Sequence, residues 1–202
     1  MASDFMLTAA VVDQVLAVLR GADGDDHTGG LPANWFAATR DALETPLRTL
    51  QHGDMRDMAV VDVRELLPAI LVRGGGTQPR ASGTGTDDCW EPITIVHARH
   101  FDDCYDDDGA PEENMTRARE RYARLIHRAV FNDRNRKLAT IDAEGARTEA
   151  TLATDDQAAH VVDVQFMGWD LGENTDERVR AARIWTVELR IRARTLTTAG
   201  SE

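Results

Sequence analysis

The chain has 202 residues, a net charge of −12, 42% hydrophobic and 29% charged residues, and two cysteines. The length suits one domain, with or without an appendage. The negative charge argues against a general nucleic-acid binder or an anionic membrane partner. Two cysteines are too few for a disulfide scaffold or a Cys-only zinc site. No signal-peptide signature and no apolar run approaching about 18 residues is present, so we expect a soluble protein made in the cytosol.

The N-terminal residues predict a helix over residues 5–20, capped by Ser3 or Asp4 and closed by Gly21. Its apolar side consists of Leu7, Val11, Val15, Val18 and Leu19. Residues 21–30 are rich in Asp and Gly and predict a flexible acidic linker. We therefore expect residues 1–30 to be an N-terminal helix and linker, with the helix docking on the domain or on a neighbouring subunit, and residues 31–202 to form a single α+β domain.

The middle of the chain alternates between short apolar runs and polar segments. Pro32 suits the start of a second helix, which Pro46 ends. Residues 59–63, 69–72 and 92–99 predict strands, residues 74–88 a long Gly-rich mobile loop, and residues 102–113 an acidic turn. A second strong helix is expected over residues 114–132, and short strands over 138–152. The apolar stripe of that helix is Met115, Ala118, Tyr122, Leu125, Ile126 and Ala129.

The clearest pattern lies at the C-terminal end, where residues 183–195 alternate between apolar and polar side chains. The odd positions are apolar, from Trp185 to Ala193, and the even positions are polar. Residues 160–170 alternate similarly, with Val162, Val164 and Phe166 on the apolar face. The two segments predict a long antiparallel hairpin. The expected fold class is α+β, a mostly antiparallel sheet with helices packed on one face and this long C-terminal hairpin.

Three segments contain residue types that also occur in phosphate-binding or metal sites. The loop at 74–88 lacks the Gly-Lys-Ser/Thr ending of a phosphate-binding loop. The carboxylates at 102–108 could gather a hard cation, but their spacing does not match a calcium loop and favours a solvated acidic turn. His97 and His100 point to opposite faces of a strand and do not form a zinc site. No catalytic motif is present, so we predict a protein that is not an enzyme and has no metal and no cofactor.

Rows of arginine are the most informative feature. Arg117, Arg121, Arg124 and Arg128 are spaced four, three and four residues apart and form a stripe on the second helix, and Arg190, Arg192 and Arg194 form a similar row on the last strand. One interpretation is salt bridging within the chain, which adds little when exposed. The other is subunit contact, in which basic rows of one copy meet acidic loops of the next. Such a head-to-tail contact can close into a ring.

The order of the elements resembles that of the tail terminator (tail completion) proteins of long-tailed, siphovirus-like bacterial or archaeal viruses. That order is a helix, a strand pair, a long loop, a strand, an amphipathic helix, a small hairpin and the terminal hairpin. The resemblance covers residues 31–195 and includes the ending Trp-Thr-Val-Glu-Leu-Arg-Ile-Arg at 185–192. It implies a structural virion protein forming a ring, typically a homo-hexamer, that caps the tail tube, ends its polymerisation and joins the tail to the head-side connector or stopper protein in the neck. Before assembly the protein would lie in the host cytoplasm, with no membrane partner.

In such a ring DNA passes without specific binding, and an acidic lumen would repel its phosphates. We therefore expect the acidic side chains, or the 74–88 loop, to face the lumen or the tube and the arginine rows to lie between subunits. The acidic candidates are Asp102, Asp103, Asp106, Asp107 and Asp108. Alternatives are another neck component, such as a head–tail adaptor, or a minor tail protein. Alternatives from other classes are an acidic binding module that mimics DNA and a metal-dependent hydrolase that uses the Asp cluster.

Overall fold

The computed structural model describes residues 3–20, 49–53, 63–76, 78–79, 88–100, 111–131, 136–141, 147–149, 151–153, 158–170 and 184–198. The helices in these ranges are α1 (Ser3–Arg20), α2 (Val63–Leu66) and α3 (Pro111–Val130). The strands are β1 (Thr49–His52), β2 (Ala69–Gly74), β3 (Gln78–Pro79), β4 (Asp88–His100), β5 (Thr140–Ile141), β6 (Arg147–Thr148), β7 (Thr151–Ala153), β8 (Ala158–Asp170) and β9 (Ile184–Thr198).

Seven of these strands form one mixed sheet in the order β1-β2-β4-β9-β8-β7, with β3 also pairing with β4. Strands β1 and β2 are parallel, whereas the other pairs of this sheet are antiparallel. Strands β5 and β6 form a separate small hairpin. The fold is therefore α+β with a mostly antiparallel sheet, as the sequence predicted.

The long C-terminal hairpin, β8 and β9, is confirmed, and β9 lies in the interior of the sheet. It pairs with β4 from Asp88↔Leu196 to His100↔Ile184 and with β8 on its other side. The odd positions of β9 from Trp185 to Ala193 are buried, as the alternation predicted. Burying side chains of this size contributes about 1.5–3 kcal/mol each, which favours the central position.

The two long helices, α1 and α3, pack against the same face of the sheet and share one core with it. Tyr122, Leu125 and Ile126 of α3 are buried, as predicted. The buried side chains of α1 include all five of its predicted apolar positions. They are Leu7, Val11, Val12, Val15, Leu16, Val18 and Leu19. Helix α1 is thus an integral part of the core.

The opposite sheet face changes character across its width. At the β2–β4 end it is apolar, with Ala69, Leu71, Val96 and Ala98 in a second buried cluster against which Leu66 of α2 packs. Across β9 and β8 it carries polar and charged side chains. The arginines of β9 lie on this polar part of the sheet face.

The prediction for the apolar face of β8 was wrong at one position. Val161 is buried and Val162 only half-buried, because the pairing with β9 shifts register between Val161 and Asp163. A β-bulge places an extra residue in one strand, so the side chains before and after it no longer follow one alternation between the two faces of the sheet. Val164 and Phe166 pack with the core as expected, and a second shift follows Phe166.

Three other boundaries differ from the sequence prediction. Val63, predicted in a strand, begins α2. The predicted 74–88 loop is shorter, because Gly74 belongs to β2, residues 78–79 pair with β4, and Asp88 already belongs to β4. Helix α3 starts at Pro111, within the predicted acidic turn, because proline is favoured in the first turn of a helix. The linker at 21–30 and the helix predicted between Pro32 and Pro46 lie outside the described residues.

Candidate functional site

The arginine row of α3 lies on the surface of that helix. Tyr122, Leu125 and Ile126 face the core, whereas the arginines at positions 117, 121 and 124 lie on the solvent-facing side of the helix. Arg117, Arg121 and Arg124 are all exposed, and the guanidinium of Arg121 lies 5.3 Å from the ring centroid of Tyr122. The fourth member, Arg128, belongs to the helix but its side chain lies outside the described part. The row therefore presents at least three cations on one solvent-facing stripe.

The arginines of β9 lie on the polar sheet face, where two of them contact side chains of neighbouring strands. Arg194 donates from Nε and Nη2 to the two carboxylate oxygens of Asp88 at 2.9 and 2.8 Å. This hydrogen-bonded pair raises the pKa of Arg194 above its usual value, although partial desolvation opposes it. Arg192 donates to Oε1 of Gln165 at 2.9 and 2.6 Å and stacks 4.3 Å from the ring centroid of Trp90.

Arg190 is held much more weakly than its two neighbours in the row. Its Nη2 lies 3.9 Å from Asp170 and 3.7 Å from Glu188, and its side chain is 57% exposed. Exposed pairs at such distances add little stability. The row is therefore not uniform, since Arg192 and Arg194 are engaged within the chain and Arg190 remains accessible to a partner.

The predicted acidic candidates Asp102, Asp103, Asp106, Asp107 and Asp108 lie outside the described residues. Within the described ranges, no group of three or more His, Cys, Asp or Glu side chains is arranged to hold a metal ion. Likewise, no helix in those ranges is long and apolar enough to cross a membrane.

A buried cluster of aromatic and charged side chains was missed by the sequence reasoning. His97 lies 4.6 Å from the ring of Tyr122 and 5.6 Å from that of Trp185, and the guanidinium of Arg99 lies 4.7 Å from the Tyr122 ring centroid. Burial, and secondarily the charge of Arg99, lowers the pKa of His97 to about 3, so the imidazole is neutral. The buried His97 ring fills space in the core between β4 and α3. The alternation of β4, with Ile93, Ile95 and His97 on one face, was the available signal.

Two exposed apolar side chains were also missed. Met167 is 55% and Trp169 44% exposed, and both lie at the end of β8. The signal in the sequence was Gly168, which sits between them with φ +133°. A positive φ of this kind is favoured only by glycine and here accompanies the second register shift.

Compared with protein-family models and with curated proteins, the chain matches none.

Proposed function

We propose that this chain is a structural virion protein whose copies form a ring, typically a hexamer, at the head-proximal end of a viral tail tube. The ring ends polymerisation of the tube and joins the tail to the head-side connector. The observation that carries the proposal is the exposed stripe of Arg117, Arg121 and Arg124 on α3 in a chain of net charge −12. A concentrated patch of one sign on a protein of opposite overall charge is suited to docking against another copy, because unlike surfaces attract and fix the register.

The fold supports the viral part of the proposal through its element order. The α+β architecture, the amphipathic helix α3 and the long β8–β9 hairpin ending in the alternating run at 185–192 are features on which the resemblance to tail terminator proteins rests. In this function the protein performs no chemistry. The helices and sheet serve to hold two surfaces, one for each neighbouring subunit, in a fixed relative orientation.

The electrostatics are also compatible with a ring through which DNA passes. DNA binding is dominated by cations that contact phosphates. In the described part of the sheet, Arg192 and Arg194 contact Gln165 and Asp88 of the same chain. With the overall charge strongly negative, DNA would pass the ring without being held.

The first test is the oligomeric state of the purified full chain, measured by native mass spectrometry and light scattering. The double variant Arg121→Glu/Arg124→Glu should lower the assembled fraction strongly, because it reverses the charge in the middle of the stripe. The matched control is Arg136→Glu/Lys137→Glu, which changes the net charge equally at two exposed positions after α3. It removes the exposed ion pair between Lys137 and Glu149, which adds little stability, and the variant should still assemble. A wild-type chain that stays monomeric at every protein concentration and ionic strength would reject the ring.

The second test concerns the tail. Tail tube protein of the same virus, polymerised with and without this chain, should give shorter tubes with a ring at one end in electron micrographs when the chain is present. Tubes of unchanged length with no added density at either end would reject a terminator function while leaving self-assembly intact.

A further inference from the structure

The three exposed arginines of α3, Arg117, Arg121 and Arg124, which we call the α3 stripe, differ in what holds them in place. The guanidinium carbon of Arg121 lies 5.3 Å from the ring centroid of Tyr122. Arg124 is also exposed, but no aromatic ring of the described residues lies within cation–π distance of it. An arginine side chain has several rotatable bonds and loses conformational entropy when its direction is fixed. The fold therefore restricts Arg121 before any partner binds, and it does not restrict Arg124 in this way.

The phenol ring beside Arg121 is held by the core. Tyr122 is 4% exposed, and its ring centroid lies 4.6 Å from that of His97 and 5.8 Å from that of Trp185. The guanidinium of buried Arg99 lies 4.7 Å from the same centroid. These neighbours come from β4 and β9, the two paired strands beneath the helix. Because side chains in a packed core have little room to move, Tyr122 is a fixed support for a side chain at the surface.

The attraction between Arg121 and Tyr122 orients the cation without neutralising it. The face of an aromatic ring is negative, and a guanidinium within about 6 Å of the centroid is attracted to it. Arg121 remains exposed, and its N–H groups can still donate to a carboxylate, which binds at the edge of the guanidinium plane. Arg194 is different, because both oxygens of Asp88 already accept its hydrogen bonds. Arg121 is therefore directed by the fold and still available to a partner.

The place of Arg121 within the α3 stripe makes its direction matter for docking. It is the central member, four residues after Arg117 and three before Arg124, so the three side chains are neighbours on one side of the helix. A side chain that already has the direction it takes in the complex loses less entropy on binding, which makes the complex tighter. A fixed central cation also limits the registers in which the carboxylates of a partner can meet the stripe.

We propose that Tyr122 is a positioning residue for the contact between copies of this chain, in which its phenol ring holds Arg121 in the direction that meets a carboxylate of the next copy. The proposal rests on the subunit ring proposed above and identifies a buried residue on which the affinity of that contact depends. At 4% exposure Tyr122 contributes almost no surface of its own to the contact, so it acts through Arg121.

A double-mutant cycle on the association constant of the full chain tests this proposal. Tyr122→Leu keeps an apolar side chain in the core and removes the phenol ring. In light scattering over a dilution series it should weaken each subunit contact about two- to fivefold, the ratio that corresponds to an exposed cation–π contact. In the Arg121→Gln background the same substitution should have no further effect, because the guanidinium that the phenol ring orients is absent. In the Arg124→Gln background, which is the matched control, its full effect should remain.

The conservative variant Tyr122→Phe separates the aromatic ring from the hydroxyl group. It keeps the negative ring face and should therefore retain the association constant of the wild type. Circular dichroism of every variant verifies folding. Weakening of Tyr122→Phe to the level of Tyr122→Leu would assign the effect to the hydroxyl group and overturn the cation–π contact.

Nuclear magnetic resonance measures the direction of Arg121 without the leucine variant. The sample is Arg124→Gln, which weakens assembly without adding a charge beside Arg121. The Nε–Hε signal of Arg121 should be displaced by the ring current of Tyr122. Arg190 is the internal reference, since no aromatic ring of the described residues lies within cation–π distance of its guanidinium. An Arg121 signal at the position of the reference would overturn the proposal.

The outcomes distinguish the function of Tyr122 from the subunit ring. Equal weakening by Tyr122→Leu in the wild-type and Arg121→Gln backgrounds would show that the phenol ring acts only through the packing of α3. That result, or no weakening at all, would overturn the positioning function and leave the subunit ring in place. A wild-type chain that stays monomeric at every concentration would overturn both.

Discussion

At the residue scale, His97 is a buried histidine that packs against two aromatic rings. It is 1% exposed, its ring lies against Tyr122 and Trp185, and its Nδ1 has no hydrogen-bond partner among the described residues. Burial and the charge of Arg99 lower its pKa to about 3. Since the charged form is excluded from this site, the histidine acts as a neutral aromatic ring that fills the space between sheet and helix.

This pKa predicts a pH dependence of stability. In the unfolded chain His97 binds a proton near pH 6.5, whereas in the folded chain it does so only near pH 3. The unfolded state therefore binds more protons in that window, and stability is lost as the pH falls below about 6.5, by about 1.4 kcal/mol per pH unit. Between pH 8 and pH 5 the wild type should lose about 2 kcal/mol more than His97→Phe, measured by urea unfolding at both values. Equal losses in the two proteins would contradict this account.

At the element scale, the approach of α1 to β2 depends on a glycine. A Cβ atom at Gly74 would clash with Cγ2 of Thr8 in α1. The same threonine donates from Oγ1 to Oε2 of buried Glu91 at 2.5 Å, which ties α1 to β4 as well. The methyl and hydroxyl groups of Thr8 therefore fix the position of the helix on two strands.

We predict that Gly74→Ala lowers the free energy of unfolding by about 1–3 kcal/mol, because either the Thr8 side chain must rotate out of its bond to Glu91 or α1 must move away from β2. Adding Thr8→Ser should recover much of the loss, since serine lacks the clashing methyl and keeps the hydroxyl that binds Glu91. Urea unfolding of the two single variants and the double variant gives the coupling energy between the positions. Strict additivity would show that the two residues do not meet in the folded protein.

At the scale of the whole molecule, the N-terminal helix α1 shares one core with the sheet and with α3. Seven side chains of α1 belong to the cluster that also contains Trp185 of β9 and Ile126 of α3. Elements that share one continuous core unfold together in small domains. Loss of α1 packing should therefore affect the distant C-terminal hairpin.

The corresponding prediction uses Val15→Asp, which places a charge at a position of 0% exposure. An uncompensated buried charge costs on the order of 3–5 kcal/mol, a large part of the stability of a domain. Far-UV circular dichroism and tryptophan fluorescence should lose their signals in one common transition. Asp13→Asn, an exposed change two residues away on the same helix, should unfold as the wild type does. A fluorescence transition that is unaffected by Val15→Asp would indicate that α1 unfolds independently of the sheet.

Some features of the fold could be predicted from the sequence, and others could not. The odd positions of β9 and the buried residues of α1 were predictable, because periods of two and 3.6 residues report which side of an element is apolar. The bulge at Val162 was not, because it depends on how β8 pairs with β9 and the sequence alternation continues through it. The exposure of Met167 and Trp169 was missed for a similar reason, since it depends on the second register shift between β8 and β9 and on the described part of β7 pairing only with the start of β8.

By itself the sequence determined the local choices in this protein: which segments form the long helices and strands, which of their faces is apolar, and the α+β class. Local periodicity and propensity carry that information within ten to twenty residues. The tertiary structure alone decided which distant residues meet, such as Arg194 with Asp88, 106 residues apart, and His97 with Tyr122 and Trp185. Strand order and register set those contacts, because a one-residue change in pairing moves every side chain of a strand to the other face.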